Sequence, residues 1–232
     1  MPVSGPTAGN TVGEYSASIW VGIDGASSEP GNNINGTATA SCDPLGQSLR
    51  AGVDIFWDGT LGGQQTPYVW AQWMPAETAR GFLDFSASPG DELRFTVNTG
   101  PHGNSAGGVL VENFGPPQSP HGVDGGKVRI PIATGSLIWK DMPRLCQAQA
   151  SWIVEDFPLQ QRPELPSALG NFTEVRFTEL NVGTWLGGNF TGEEVGKGLK
   201  MLEVYDEGQG GKLVKCEKGD KEGVVCRRVL EA

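Results

Sequence analysis

Apolar and polar residues alternate in short runs along most of the chain, with the two-residue period of β-strands. Clusters rich in Gly, Pro, Asn and Asp separate the runs, and no segment keeps a helical period. This pattern predicts an all-β chain that folds as a β-sandwich of two antiparallel sheets. The predicted strands are residues 18–23, 49–57, 68–74, 81–85, 92–98, 108–114, 127–132, 150–157, 173–180, 199–205, 212–216 and 224–229.

Several predicted strands divide into an aliphatic face and a face that mixes tryptophan with acids, amides and an arginine. Residues 49–55, for example, read Leu-Arg-Ala-Gly-Val-Asp-Ile, and successive side chains point to opposite sides of a strand. Such a face is typical of a groove that binds an extended peptide or glycan, and an ordinary half-exposed sheet face is the alternative. The mixed face carries Trp20, Asp24, Arg50, Asp54, Trp70 and Gln72.

The composition agrees with many short strands in one domain. The chain has 232 residues, of which 38% are hydrophobic, and it contains 35 glycines and 16 prolines. This length is enough to bury a sizeable core. No shift in composition divides the chain, so we expect a loose leader over residues 1–14 and a single domain over residues 15–232.

The charge balance argues against two classes of partner. The chain has 27 acidic and 17 basic side chains and a formal net charge of -10. An acidic protein is repelled by phosphate backbones and anionic lipids, so neither a nucleic acid nor a membrane is expected as a partner. No run approaches the roughly 18 apolar residues of a membrane-spanning helix, and the first residues lack the features of a signal peptide.

The four cysteines favour disulfides over a metal site. Cys216 and Cys226 flank a turn-rich segment between two strand-like runs, which predicts a disulfide across a hairpin and leaves Cys42 to pair with Cys146. There is no C-x-x-C spacing and there are only two histidines, so no zinc site is expected. Disulfides, together with three N-x-S/T sequons, favour an extracellular location.

Five strings resemble a known family, and they occur at residues 17–25, 51–54, 70–75, 111–113 and 151–157. The last string reads Ser-Trp-Ile-Val-Glu-Asp-Phe and is the most specific. Together they resemble the eqolisins, the fungal glutamic peptidases also called A4 acid peptidases. The resemblance implies a β-sandwich with a concave substrate groove, secretion into acidic surroundings and a disulfide between a cysteine pair that matches Cys42 and Cys146.

The resemblance also implies a catalytic pair of a glutamate and a glutamine. Glu155 stands at the glutamate position, where the carboxylate takes a proton from the attacking water and passes it to the leaving amine. Arg50 replaces the glutamine whose amide would hold the oxyanion, and Gln72 stands where many relatives have an acid. Gln47 lies at an odd offset from position 50 and could substitute only through a β-bulge.

The replacement by Arg50 acts in two directions. A neighbouring positive charge keeps the Glu155 carboxylate ionised but makes it a weaker base, whereas a guanidinium is itself a charged oxyanion donor. We therefore expect an acid-acting glutamic endopeptidase with weakened or altered activity, a polypeptide substrate, no cofactor and a monomeric state. The expected catalytic residues are Glu155 and Arg50, and the expected substrate-binding residues are Trp20, Asp24, Asp54, Trp70 and Gln72.

Four alternatives to this interpretation stay open. The same groove could bind peptide or glycan without catalysis, and Glu155 could instead be a solvent-facing strand residue or one half of an ion pair. A glycosidase would pair Glu155 with a second carboxylate from Asp24 or Asp54. Residues 103–107 fit the G-x-S-x-G pattern of a serine hydrolase, but that pattern needs a following helix and the next residues predict a strand. His121 is interpreted as a surface loop residue.

Overall fold

The computed structural model describes residues 15–25, 46–57, 67–100, 105–116, 130–147, 149–155, 168–169, 172, 174–183, 189–190, 204–206, 211–219 and 223–229. The predicted all-β class is confirmed, because all regular elements in these ranges are strands. Nothing in these ranges forms a helix long and apolar enough to cross a membrane. The strands are β1 (Tyr15–Asp24), β2 (Ser48–Trp57), β3 (Tyr68–Met74), β4 (Arg80–Gly81), β5 (Leu93–Thr99), β6 (Gly107–Asn113), β7 (Ala133–Trp139), β8 (Ala150–Glu155), β9 (Ala168–Leu169), β10 (Val175–Phe177), β11 (Val182–Gly183), β12 (Asn189–Phe190), β13 (Val204–Asp206), β14 (Gly211–Lys218) and β15 (Val224–Arg228).

The described strands form four sheets. The largest has the order β4-β3-β2-β1-β8, with β9 paired to β1 in parallel. A second sheet is the antiparallel meander β5-β6-β7, a third has the order β10-β15-β14-β13, and a fourth is the antiparallel pair β11-β12. Short connections join β3 to β4, β5 to β6, β11 to β12, β13 to β14 and β14 to β15, whereas neighbours such as β1 and β8 or β10 and β15 are far apart in the sequence.

The chain divides into two compact units. The first unit draws on residues 19–54 and 66–153, and the second unit draws on residues 1–18, 55–65 and 154–232. Most of the largest sheet and all of the β5-β6-β7 meander belong to the first unit. The sheets β10-β15-β14-β13 and β11-β12 belong to the second.

The core of the first unit lies between its two sheets. Trp73 of β3 packs against Trp139 of β7 with the ring centroids 6.4 Å apart, and the Trp73 Nε1 donates a hydrogen bond to the Pro143 carbonyl at 3.0 Å. Burial of large aromatic and aliphatic side chains is the main force that holds two such layers together. The buried cluster consists of Leu49, Ala51, Ala71, Trp73, Val109, Trp139 and Leu145.

The register of β2 on β3 separates the core face from the opposite face. Leu49 lies opposite Trp73, and both side chains point into the core. Arg50 lies opposite Gln72, one position further along, and these two side chains point to the other face because the side-chain period of a strand is two. The predicted division into an aliphatic and a mixed face is therefore confirmed for these strands.

Three predicted strands differ from the structure. The one predicted over residues 173–180 is reduced to β10, and the chain turns at Glu179 with a φ of 53°. Residues 130–132 are not in a strand, because Pro131 lacks the N–H of a sheet ladder, and the strand instead follows as β7. The glycine, serine and threonine of β7 weaken its apolar alternation in the sequence. The strand predicted over residues 81–85 reduces to the two residues of β4, since the chain turns at Asp84 with a φ of 57°.

The second unit has its own buried residues and a disulfide. Cys216 of β14 and Cys226 of β15 are directly opposed in the register and form the predicted disulfide, with the Cα atoms 4.0 Å apart. Cys146 of the first unit is also disulfide-bonded, and its predicted partner Cys42 lies outside the described residues. The buried apolar side chains of the second unit include Phe172, Val175, Phe177, Leu180, Val214, Val224 and Val225.

An ionic cluster covers one surface of the β10-β15-β14 sheet. The Glu174 carboxylate accepts hydrogen bonds from Arg176 and from the Nε and Nη2 of Arg227, the latter two at 3.1 and 2.9 Å. Arg227 also donates to Glu217. The hydrogen bond from Arg176, joined by those from Arg227, holds the pKa of Glu174 below its ordinary value.

We expect Gly52→Ala to destabilise the first unit. A Cβ at position 52 would lie 2.5 Å from the Trp20 Cβ and would also press on the Ile19 carbonyl oxygen, so β1 and β2 would have to move apart. The expected loss is about 1–3 kcal/mol of unfolding free energy, measured by urea denaturation. Gly100→Ala is the matched control, because the nearest atom to its new Cβ lies at 3.7 Å. Equal stability of the two variants would contradict this account.

Candidate active site

Arg50 is held at the centre of the mixed face of the first unit. Its Nε and Nη2 both donate to the Gln72 Oε1, at 3.1 and 2.7 Å. Its guanidinium carbon lies 5.4 Å from the centroid of the Trp20 ring and 5.5 Å from that of Trp70. Cation–π attraction and the paired hydrogen bonds together fix this permanently charged group in one place.

Two glycines make room for this arrangement. A Cβ at Gly22 would lie 3.1 Å from the Arg50 Cβ and 3.2 Å from the Trp20 Cζ3, and Gly52 is still more tightly enclosed by Trp20. Because neither glycine carries a side chain, the indole of Trp20 lies across the strands and reaches the guanidinium. Gly22 of β1 and Gly52 of β2 therefore leave the space in which Trp20 packs against Arg50.

Trp20 and Trp70 have little surface left for a ligand. Their residues are only 2% and 4% exposed. The Trp70 Nε1 also donates a hydrogen bond of 2.7 Å to the Asp54 Oδ1, which fixes the orientation of both side chains. The structure thus makes the two indoles packing partners of Arg50, and their predicted contact with a substrate stays a prediction, as does that of Asp54.

Gln72 links Arg50 to a residue that sequence reasoning missed. While its Oε1 accepts from Arg50, its Nε2 donates to the Glu77 carbonyl oxygen at 2.8 Å. The Glu77 carboxylate in turn accepts from the Trp139 Nε1 at 2.7 Å and pairs with Arg80 at 3.0 Å. Glu77 lies in the turn after β3, and no periodicity or motif in the sequence marks it.

Tyr68 is a second residue that the prediction omitted. It shares a face of β3 with Trp70 and Gln72, but it is 49% exposed. A Cβ at Gly81 would lie 3.0 Å from the Tyr68 ring, so the absence of a side chain there lets the ring lie over β4. Of the three aromatic or amide side chains on this face of β3, Tyr68 is the one most accessible to a ligand.

Asp24 has a setting that does not fit the predicted substrate contact. It is fully buried, with a φ of 61°, and its Oδ2 accepts a hydrogen bond of 2.9 Å from the Gln147 backbone N–H. Its own N–H donates to the Gln149 carbonyl at 2.9 Å. Asp24 therefore fastens the end of β1 to the segment that leads into β8, because a buried carboxylate needs such donors.

Glu155 is the last residue of β8 and is half-buried. By the two-residue period it shares a face with Ile153 and Ser151, and Val154 points the other way into a buried position. In the sheet order, β1 lies between β8 and β2. The juxtaposition of Glu155 with Arg50 stays a prediction, since Glu155 belongs to the second unit and Arg50 to the first.

The described residues give little support to a serine hydrolase or a metal site. Strand β6 begins at Gly107, two residues after Ser105, in place of the helix that a serine nucleophile elbow needs. His121 lies outside the described residues. Within the described ranges, no three His, Cys, Asp or Glu side chains come together in a way that could hold a metal ion.

Comparisons with known proteins show what the chain is similar to. A model of the peptidase A4 family matches residues 1–228. Aspergillopepsin-2 of Aspergillus niger is 32% identical over 165 residues, which is 71% of this chain but only 45% of that protein. The crystal structure of aspergilloglutamic peptidase from Aspergillus niger matches with a TM-score of 0.63 and 24% identity, over 93% of this chain and 99% of that chain. The chain thus spans less than half the length of the first relative, and the second match shows a shared fold.

We expect Asp24→Ala to lower the unfolding free energy by about 1–3 kcal/mol, because the Gln147 N–H would lose a buried acceptor and alanine tolerates the positive φ poorly. Asp24→Asn keeps an acceptor oxygen and a residue that accepts this φ, so its loss should be clearly smaller. Thermal and urea denaturation of both variants measure the difference. A wild-type unfolding midpoint for Asp24→Ala would show that Asp24 is not the anchor described above.

Proposed function

Because the chain belongs to the peptidase A4 family, we propose that it is a glutamic endopeptidase that hydrolyses peptide bonds in acidic surroundings. The observation that carries this proposal is the family match over residues 1–228. Glu155 is the proposed catalytic glutamate because the string at residues 151–157 resembles the family's own. The all-β fold shared with aspergilloglutamic peptidase supports it.

In the proposed reaction Glu155 acts first as a base and then as an acid. Its carboxylate takes a proton from a water molecule, and the water oxygen forms a bond to the scissile carbonyl carbon as the carbonyl becomes an oxyanion. When the carbon–nitrogen bond breaks, the same carboxyl passes its proton to the leaving amine, and the carboxylate is restored. Glu155 is half-buried at the end of β8, so it is partly accessible to water and to a substrate, which supports this role.

Arg50 is proposed to stabilise the oxyanion in place of the usual glutamine. A donor is effective in this role when it is already aimed before the charge develops. The two indoles and Gln72 hold the guanidinium in that way, and its charge persists at every pH at which the protein is folded. A fixed cation takes over the electrostatic role that an amide performs by its dipole. Beside Glu155 the same charge also makes the carboxylate a weaker base, and we expect this loss to outweigh the gain.

The proposed substrate is an extended polypeptide that lies along the mixed face. Tyr68, Asp54 and Gln72 carry the accessible or half-buried surface of this face, so they are the proposed contacts. Trp20, Trp70 and Asp24 contribute indirectly, by holding Arg50 and the end of β1. An extracellular, monomeric state without a metal or organic cofactor completes the proposal, and the Cys216–Cys226 disulfide supports the extracellular location.

A second candidate is a groove of the same fold that binds peptide without cleaving it. The observation that favours it is the engagement of Arg50 with Gln72, which commits two of its nitrogens to the protein itself. In that case the guanidinium would anchor a ligand carboxylate or carbonyl rather than a transition state. A cleavage assay separates the two functions directly.

We expect Glu155→Gln to abolish hydrolysis of casein at about pH 3, since the amide cannot take a proton from water. The loss in kcat should be on the order of 10²–10⁴-fold, measured by release of acid-soluble peptides. Glu112→Gln serves as the control, because Glu112 is a half-buried glutamate on the β5-β6-β7 sheet. Equal cleavage by wild type and Glu155→Gln would remove Glu155 from the mechanism, and an uncleaved substrate that still binds wild type would favour the second candidate.

We expect Arg50→Gln to raise the rate of hydrolysis by about tenfold, because an amide donor without a positive charge leaves Glu155 a stronger base. Initial rates on one peptide over a range of acidic pH values measure the change. Arg94→Gln, which alters a half-exposed arginine of β5, controls for the loss of a positive charge elsewhere. An unchanged or lower rate would show that Arg50 does not occupy the proposed place beside the base.

A further inference from the structure

Glu77 connects the mixed face to the core by two different groups. Its backbone carbonyl accepts the Gln72 Nε2 at 2.8 Å, and its carboxylate Oε2 accepts the Trp139 Nε1 at 2.7 Å. Its backbone N–H donates to the Trp73 carbonyl at 3.0 Å. One residue in a turn is thus tied to two tryptophans of the core cluster and to the amide that faces Arg50.

The polarity of the Gln72 amide depends on this turn. A side-chain amide has a donor end and an acceptor end, and either end can face a given neighbour unless a partner selects one. The Glu77 carbonyl can only accept, so it draws the Nε2 of Gln72 towards itself. The Oε1 is thereby left to face the Arg50 Nε and Nη2, which can only donate. A reversed amide would set donor against donor at Arg50.

The carboxylate of Glu77 keeps its own carbonyl in place. Trp139 is almost fully buried in β7, so its Nε1 is a fixed donor, and a hydrogen bond from it to a charged acceptor is stronger than one between neutral groups. Arg80 adds contacts from its Nε to the same Oε2, at 3.0 Å, and from its Nη2 to the Oε1, at 3.3 Å. The hydrogen bond from Trp139 therefore ties the Glu77 turn to the β5-β6-β7 sheet, in addition to its backbone hydrogen bond to β3.

We propose that Glu77 is a positioning residue, which orients the Gln72 amide and through it aims the Arg50 guanidinium. This inference rests on the proposed function only where it predicts kinetics. The orientation of Arg50 itself is a property of the folded first unit, whether or not the protein cleaves peptides. Residues 50, 72, 77 and 139 all belong to that unit, so the chain of contacts lies within one compact body.

Three variants distinguish the parts of this mechanism. Glu77→Ala removes the acceptor for Trp139 and releases the turn, whereas Glu77→Gln keeps an acceptor oxygen and loses only the charge that Arg80 meets. Trp139→Phe removes the donor and keeps an aromatic ring in the core, so it provides a second route to the same release. We expect Glu77→Ala and Trp139→Phe to behave alike and Glu77→Gln to stay close to wild type.

Glu112→Ala is the matched control for Glu77→Ala. Glu112 also pairs with an arginine, Arg94, at 3.9 Å, and the two glutamate side chains are similarly exposed, at 19% for Glu112 and 26% for Glu77. The arginine partners are each 50% exposed. The control therefore removes a comparable carboxylate from the same unit without touching the contacts of Gln72.

The first measurement is hydrogen exchange at the Arg50 Nε–H, followed by nuclear magnetic resonance and assigned by comparison with Arg50→Lys. A guanidinium N–H that is held against an acceptor exchanges slowly. We expect exchange at least about tenfold faster in Glu77→Ala and Trp139→Phe, and wild-type exchange in Glu112→Ala and Glu77→Gln. Equal exchange in Glu77→Ala and Glu112→Ala would overturn the proposal, and this readout does not depend on peptidase activity.

The second measurement is steady-state cleavage of one peptide. A displaced guanidinium keeps its charge, but its N–H groups no longer point to the position of the oxyanion. We therefore expect kcat of Glu77→Ala to fall by about 10- to 100-fold while KM changes by less than about twofold. A merely structural role would lower the fraction of active protein and leave kcat per active site and the pH profile unchanged. That result, with altered Arg50 exchange absent, would contradict the proposal. If wild type shows no cleavage, the proposed function fails and the exchange measurement alone decides the role of Glu77.

Discussion

The antiparallel pairing of β2 with β3 is the constraint on which the rest of the first unit depends. Because Leu49 and Trp73 are opposed and both face the core, Arg50 and Gln72 must be opposed on the other face. A slip of one residue would put the guanidinium into the apolar layer and expose the tryptophan, so the packing of the core and the placement of the charge select the same register.

The parts of the structure that depend on local period were predictable from the sequence. Alternation alone separates Leu49 from Arg50, and turn residues between two strand-like runs place Cys216 opposite Cys226. The resemblance to the eqolisins adds the family, which the match over residues 1–228 confirms. Each of these features depends on residues that are close together in the sequence or on a string that is specific to the family.

The parts that depend on distant contacts were not predictable in the same way. The Glu77 carboxylate accepts a hydrogen bond from Trp139, which is 62 residues away in the sequence. The hydrophobic pattern does not indicate which turn contacts which strand. Trp20 and Asp24 alternate with the core residues of β1, which predicts an exposed face, yet both are buried. Trp20 packs against Gly52 of β2, and Asp24 accepts a hydrogen bond from the Gln147 backbone N–H. Alternation in the sequence therefore predicts which side chains share a face of the sheet. Whether a ligand can reach them depends on how that face packs against other segments.

The ionic cluster of the second unit affects how the stability of the fold depends on pH. A carboxyl whose pKa is lower in the folded than in the unfolded chain stabilises the fold above the unfolded pKa and loses that contribution as the pH falls through the folded value. Arg176 and Arg227 lower the pKa of Glu174 in this sense. Glu174 therefore keeps its negative charge to a lower pH than it would in the unfolded chain. The carboxy-terminal sheet thereby keeps this ionic contact to a lower pH than a surface pair whose carboxyl has an ordinary pKa.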